Sequence, residues 1–283
     1  MSSRSIRNIF PAVRDDIADL QTWRAMPTQY IDHLDPFLFL NHHGRQVYPP
    51  GNRGLPFGPH PHRGFETVTF ILEGDIAHRD SGGHESVIGP QGVQWMTAGR
   101  GLIHSETSSK EFKQHGGPLE VLQLWINLPA RLKMTDPRYT GLQSDAIPVF
   151  EEDEGRVSIQ LVSGVWHGRQ GAFTPLLEVT AMLLRLQQHG RVELTIPLAH
   201  NVFFYVVRGS VQVSGRTVDE HHLADFLHDD EQLEIRATRD SMVLLCHALP
   251  IGEPVVSHGP FVMNTQEEIV QAIVDYQAGL FNA

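Results

Sequence analysis

The chain has 283 residues, 41% hydrophobic and 19% charged, enough apolar material for about two packed domains and too much for a disordered or fibrous chain. Twenty-two Lys and Arg stand against 33 Asp and Glu, a net charge of −11, and such a surface repels nucleic-acid backbones and anionic membranes. Neither is expected as a direct partner. No stretch approaches the ~20 apolar residues of a membrane helix, and Met1-Ser2-Ser3-Arg4-Ser5-Ile6-Arg7 leads into no apolar signal core, so a cytoplasmic protein is expected. The single cysteine, Cys246, lies in the apolar run Met242–Cys246 and reads as buried filler, in keeping with a reducing compartment.

Short extended segments cut by Gly and Pro dominate the chain, a pattern that predicts an all-β sandwich or barrel. A helix is conceivable over Asp15–Trp23. Glu66–Leu72 alternates, with Val68, Phe70 and Leu72 on one face and Thr67 and Thr69 on the other, and Gly74 ends it. Leu119–Leu128 repeats the rhythm through Leu122, Leu124, Ile126 and Leu128. The Pro-rich, acidic stretch Pro129–Glu154 suits a connector, which divides the chain into domains over 1–134 and 135–283. Val202–Val207 and Val211–Val213 around Gly209 read as a hairpin. Thr265 and Glu268 form a capping-box pattern ahead of Ile269, Ile273, Tyr276 and Leu280, predicting a C-terminal helix whose apolar stripe docks on a sheet. The two strand-rich halves permit a distant duplication.

Seventeen histidines against one cysteine direct attention to imidazole chemistry. His60-Pro61-His62 and His104-Ser105-Glu106 are both i, i+2 pairs, and in extended backbone such pairs project to one side. On neighbouring antiparallel strands the two would converge on one ion. Three imidazoles and a carboxylate suit a first-row divalent metal and not Ca²⁺, and the absence of cysteine argues against structural zinc. An octahedral ion with four protein ligands keeps two open positions, room for an oxygen-bearing substrate and O₂. The other histidines, His42, His43, His78, His84, His200, His221 and His222 among them, have no equally good partner and read as surface or hydrogen-bonding residues. Glu66 has the parity of His60 and His62 and is expected to hydrogen-bond a ligand imidazole. Phe57, Arg63 and Trp95 border the ligands and are candidates for the substrate pocket.

His60–Val68, Gln94–Gly101 and His104–Glu106, followed by Trp125–Pro129, Lys133-Met134 and Gly259–Thr265, together resemble the signature of the pirins, within the cupin superfamily. The resemblance covers most of the chain and implies two stacked, jelly-roll-like cupin barrels, with one iron in the N-terminal barrel. It puts the family's metal ligands on His60, His62, His104 and Glu106, the four that parity selects. Trp95 stands where the general cupin pattern has its last histidine, so His104 takes over that role, as in pirins. The second half has no H-x-H, since His200 is followed by Asn201 and Val202, and a second cupin lacking a metal site is expected. The activity implied is quercetin 2,3-dioxygenase: a small phenolic substrate cleaved with O₂ and release of CO, Glu106 acting as general base. Fe(II) is the expected metal, with Mn, Co, Ni and Cu as alternatives for the same donors. The alternative functions are an iron-binding redox sensor acting through a protein partner, and a barrel acting on another hydroxylated metabolite.

Overall fold

The computed structural model describes residues 3–281. Its strands are antiparallel, as expected for sequences that alternate and turn on Gly and Pro. Five of them, Arg138–Leu142, Val93–Thr97, Phe65–Glu73, Gly117–Asn127 and Phe37–Tyr48, are neighbours in that order in one seven-stranded sheet. A four-stranded sheet of Phe57–His62, Leu102–Thr107, Ile76–Asp80 and Glu85–Ile88, in that order, accompanies it. The later half repeats the plan. Ile6–Pro11, His222–Phe226, Asn201–Arg208, Ser241–Ala248, Val179–Leu186, Val157–Ser163 and Val149–Glu152 form a second seven-stranded sheet, and Arg191–Thr195, Gln232–Ala237, Ser210–Val213 and Arg216–Asp219 a second four-stranded one. The chain is all-β apart from a few short helical turns and the terminal helix, and the repeated plan is that of two cupin-type domains.

Two expected elements differ. Over Asp15–Trp23 there is an isolated bridge between Ile17 and Leu20 and the start of a strand, not a helix. The strands flanking Gly209 do not form a hairpin: Asn201–Arg208 pairs with His222–Phe226 and Ser241–Ala248, whereas Ser210–Val213 pairs with Arg216–Asp219 and Gln232–Ala237. Gly209 is a corner where the chain leaves one sheet for the other. Its φ is +88° and a Cβ there would lie 2.3 Å from the Asp240 carbonyl oxygen, so only glycine fits. Gly74, at φ +81°, makes the same corner between Phe65–Glu73 and Ile76–Asp80.

The chain separates into two units, but not at 134/135. One contains Arg14–Trp23, Pro36–Asp145 and the chain from Ile251 onward; the other contains the chain up to Val13, Arg24–Asp35 and Ala146–Pro250. Composition along the sequence cannot show which sheet a terminal segment joins. Ile6–Pro11 pairs with His222–Phe226 at the edge of the second unit's sheet. The C-terminal helix, Gln266–Gln277, belongs to the first unit. Its capping box forms as predicted, Thr265 accepting from the Glu268 amide and Glu268 from the Thr265 amide. Ile269 and Ala272 are buried with Phe261, Met263 and Phe281, and Ile103 and Ile273 pack against them; Leu280, expected on the stripe, is exposed. Cys246 is buried, and burial pushes its thiol well above the usual range.

Candidate metal centre

Phe57–His62 and Leu102–Thr107 are adjacent antiparallel strands with His60 directly opposite His104 and His62 opposite Leu102. One extra residue on the first strand shifts the register beyond His104, so that Glu106 faces Phe57. On the other side His104 faces Asp80 and Glu106 faces His78. Alternation then sends Leu102, His104 and Glu106 inward, and all three are buried.

The three imidazoles meet. Their ring centroids are 4.4 Å (His60–His104), 4.8 Å (His60–His62) and 4.9 Å (His62–His104) apart, and one nitrogen from each lies within 4.8 Å of the others. His60 Nδ1 donates to the Gly58 carbonyl at 2.7 Å and His62 Nδ1 to that of Pro260 at 3.4 Å, which leaves the Nε2 lone pair of each ring free for an ion. Burial, then the neighbouring His60, pushes His62 down to about 3, against a small upward pull from the Pro260 carbonyl; burial holds His104 well below the usual imidazole range. Both stay neutral, the form that ligates. The donor set fits a cation on a further ground: both ring nitrogens of His104 are buried without a hydrogen-bond partner. Leaving a buried polar group unsatisfied costs about 1–3 kcal/mol, and a coordinated ion would satisfy one of the two.

Glu106 stands beside the cluster instead of within it. Its Oε2 is 3.9 Å from His104 Nε2 and accepts from Gln123 Nε2 at 2.6 Å. Its Oε1 accepts from Thr69 Oγ1 at 3.0 Å and from Gln94 Nε2. Gln94 Oε1 in turn accepts from Tyr139 at 3.1 Å, whose ring stacks on His78 at 3.8 Å, and His78 Nε2 donates to Asp80 at 2.9 Å.

Of the other residues singled out in the sequence, three lie elsewhere. Gly64, at φ +91°, breaks the chain between His62 and the strand Phe65–Glu73, so parity does not carry across to Glu66. Thr69 faces Glu106, hence Glu66 points to the opposite face, where it accepts from Thr97 at 2.6 Å. Trp95 shares that outer face, because its neighbour Gln94 faces inward and Trp95 pairs with Val68. Arg63 is 4% exposed and serves the C-terminal segment: Nε donates to Arg100 O at 2.6 Å, Nη1 to Asp275 at 2.7 Å, and the guanidinium lies 4.6 Å from the Phe281 ring. Phe57 is half-buried, with its ring 5.3 Å from His43. His42, His43 and His78 are buried and hydrogen-bonded.

The aromatic wall beside the triad is one that sequence reasoning missed. Trp125 and Phe65 share the inward face with Gln123 and Thr69; their rings lie 5.2 and 5.1 Å from His62 and 4.5 Å from each other, and Phe39 stacks on Trp125 at 4.5 Å. Both rings meet His62 edge to face, at interplanar angles of 71° for Phe65 and 72° for Trp125.

The family model described as Pirin matches residues 19–126, and that described as Pirin C-terminal cupin domain matches residues 181–282. A Pseudomonas aeruginosa protein provisionally named a quercetin 2,3-dioxygenase is 38% identical over 249 residues, 88% of this chain and 87% of its own. Human pirin is 36% identical over 260 residues, 90% of this chain and 85% of its own. Among solved structures, a quercetin 2,3-dioxygenase from Acinetobacter baumannii superposes with a TM-score of 0.92 at 31% identity, covering 99% of both chains.

Proposed function

The chain belongs to the pirin family, and from that premise we propose that its first barrel is a metal-dependent dioxygenase site for flavonols, of the quercetin 2,3-dioxygenase type. The observation that carries the proposal is the buried, partnerless imidazole of His104 beside His60, His62 and a buried carboxylate. His60, His62 and His104 would hold the ion, with Glu106 as a fourth ligand within reach; Fe(II) is the first choice, and Mn, Co, Ni or Cu suits the same donors. When bound, such an ion supplies Lewis acidity toward a hydroxyl and redox access to O₂.

The remaining work falls to this chain's own groups. Glu106 Oε2 is the proton acceptor for the flavonol 3-hydroxyl, and Oε1 is occupied by Thr69 and Gln94. Trp125, only partly buried and 5.2 Å from the His62 ring, is the aromatic side chain placed to pack on the planar rings, with Phe65 buried behind it. The buried surroundings of His62, His104 and Glu106 keep bulk water from competing for the proton. The test is anaerobic iron loading, then quercetin with O₂: the expected result is loss of the flavonol absorbance with one CO released per quercetin consumed. Absence of turnover, combined with partner binding that differs between the Fe(II) and Fe(III) forms, would replace the enzyme with a redox-responsive binding protein.

A further inference from the structure

Thr69, Gln94 and Gln123 come from three adjacent strands and lie in one cross-strand row, Gln94 directly opposite Thr69 and Thr69 directly opposite Gln123. Thr69 and Gln94 are buried and Gln123 is partly buried. Polar groups at such positions are costly unless paired. All three spend a donor on the same carboxylate, that of Glu106.

The division between the two oxygens is unequal. A carboxylate oxygen has about two good acceptor directions. Oε1 fills both, with Thr69 and Gln94. Oε2 fills one, with Gln123; it accepts no second hydrogen bond among the described residues and lies 3.9 Å from His104 Nε2. Glu106 therefore has one open lone pair, on the side of the histidines, and Gln123 is the group that aims it. We infer that Gln123 is a positioning residue that fixes Glu106 as a single-oxygen donor toward the His60–His62–His104 cluster, Thr69 and Gln94 preventing the second oxygen from turning in. This rests on the metal reading of the site. It gives that reading a consequence: Glu106 meets the ion, or the substrate proton, through Oε2 alone. Gln123 touches neither and acts through the carboxylate.

The experiment uses cobalt(II)-loaded full-length protein, wild type against Gln123→Leu and Gln123→Asn, the latter keeping an amide but shortening its reach by one carbon. Metal content, the visible absorption of the bound cobalt and quercetin kinetics of the iron-loaded forms are measured together. Both variants are expected to bind cobalt one-to-one like wild type, because the histidines are untouched. Their cobalt spectrum is expected to differ from wild type in band position and intensity as Oε2 loses its anchor, and kcat for quercetin to fall at least about ten-fold with KM within about three-fold. A purely structural role for Gln123 would leave the spectrum of the folded variant unchanged, and that outcome overturns the inference even if kcat drops. Should Gln123→Leu fail to fold, the spectrum of Gln123→Asn decides. Wild-type protein that takes up no cobalt overturns the metal reading and this inference with it; wild type that binds cobalt without consuming quercetin removes only the substrate, and the spectra still decide the role of Gln123.

Discussion

The two barrels share a strand plan and differ in what faces inward. The first presents His60, His62, His104 and Glu106 from its small sheet and Thr69, Gln94 and Gln123 from its large one. In the second, Val192, Leu194, Leu233 and Ile235 of the small sheet join Phe204, Val206, Val243 and Leu245 of the large one in a single apolar core. Histidine alone does not make the difference. The second unit has a cavity of about 450 Å³ lined in part by His200 and His247, yet those rings satisfy each other, Nδ1 to Nδ1 at 3.0 Å, where His104 has no such partner. A barrel becomes a site when its inward polar groups are organised around one missing charge; otherwise the same frame closes on aliphatic side chains.

The sharpest way to break the comparison is to remove one histidine from each side. His62→Ala is expected to lower bound metal from about one ion per chain to near zero, since a buried three-imidazole set loses its chelation with one member gone, while circular dichroism shows the fold retained. His247→Ala is expected to leave the metal count unchanged. Elemental analysis of both checks this, and a metal content unaffected by His62→Ala would dismantle the assignment of the first barrel.

The next effect belongs to the packed barrel. Leu245 is fully buried in the second core, and Leu245→Ala should cost about 3 kcal/mol through lost transfer energy and the cavity left behind. Urea denaturation measures it; a cost below about 1 kcal/mol would mean that the second interior is not close-packed at that level and that the contrast between the barrels is weaker than the burial suggests.

How much of this contrast can be read from sequence depends on how local each signal is. His60-x-His62 and His104-x-Glu106 are legible because two residues of extended chain fix their common direction, and the Thr265–Glu268 capping box because it closes within one turn. The cradle around Glu106 is not, because it exists only once Val93–Thr97, Phe65–Glu73 and Gly117–Asn127 are set side by side in register. Its trace in the sequence is a lone polar residue inside each apolar run: Thr69 in Val68-Thr69-Phe70, Gln94 in Val93-Gln94-Trp95, Gln123 in Leu122-Gln123-Leu124. That same trace selects Trp125 over Trp95 as the inward tryptophan, since Trp125 is two residues from Gln123 and Trp95 only one from Gln94. Arg63 and Glu66 misled for a related reason. Adjacency to His62 along the chain carries no direction past the turn at Gly64, and the partner that claims Arg63, Asp275, is 212 residues away.

The smallest effect expected is acid sensitivity in the second barrel. Burial, followed by the neighbouring His200 and Arg4, pushes His247 down to about 3. The folded protein therefore refuses a proton that the unfolded chain accepts once the pH drops below the ordinary imidazole value of about 6.5. Stability from this group is intact above that value and is lost progressively as the pH falls from about 6.5 toward 3, by about 2 kcal/mol between pH 7 and pH 5. Comparing wild type with His247→Gln isolates it from the histidines of the first barrel, which both proteins share. The variant should lose about 2 kcal/mol less than wild type between those two pH values in urea titrations. Equal losses would show that His247 accepts a proton inside the fold, and that the second barrel's histidine pair is as open to charge as the first barrel's donors are to a cation.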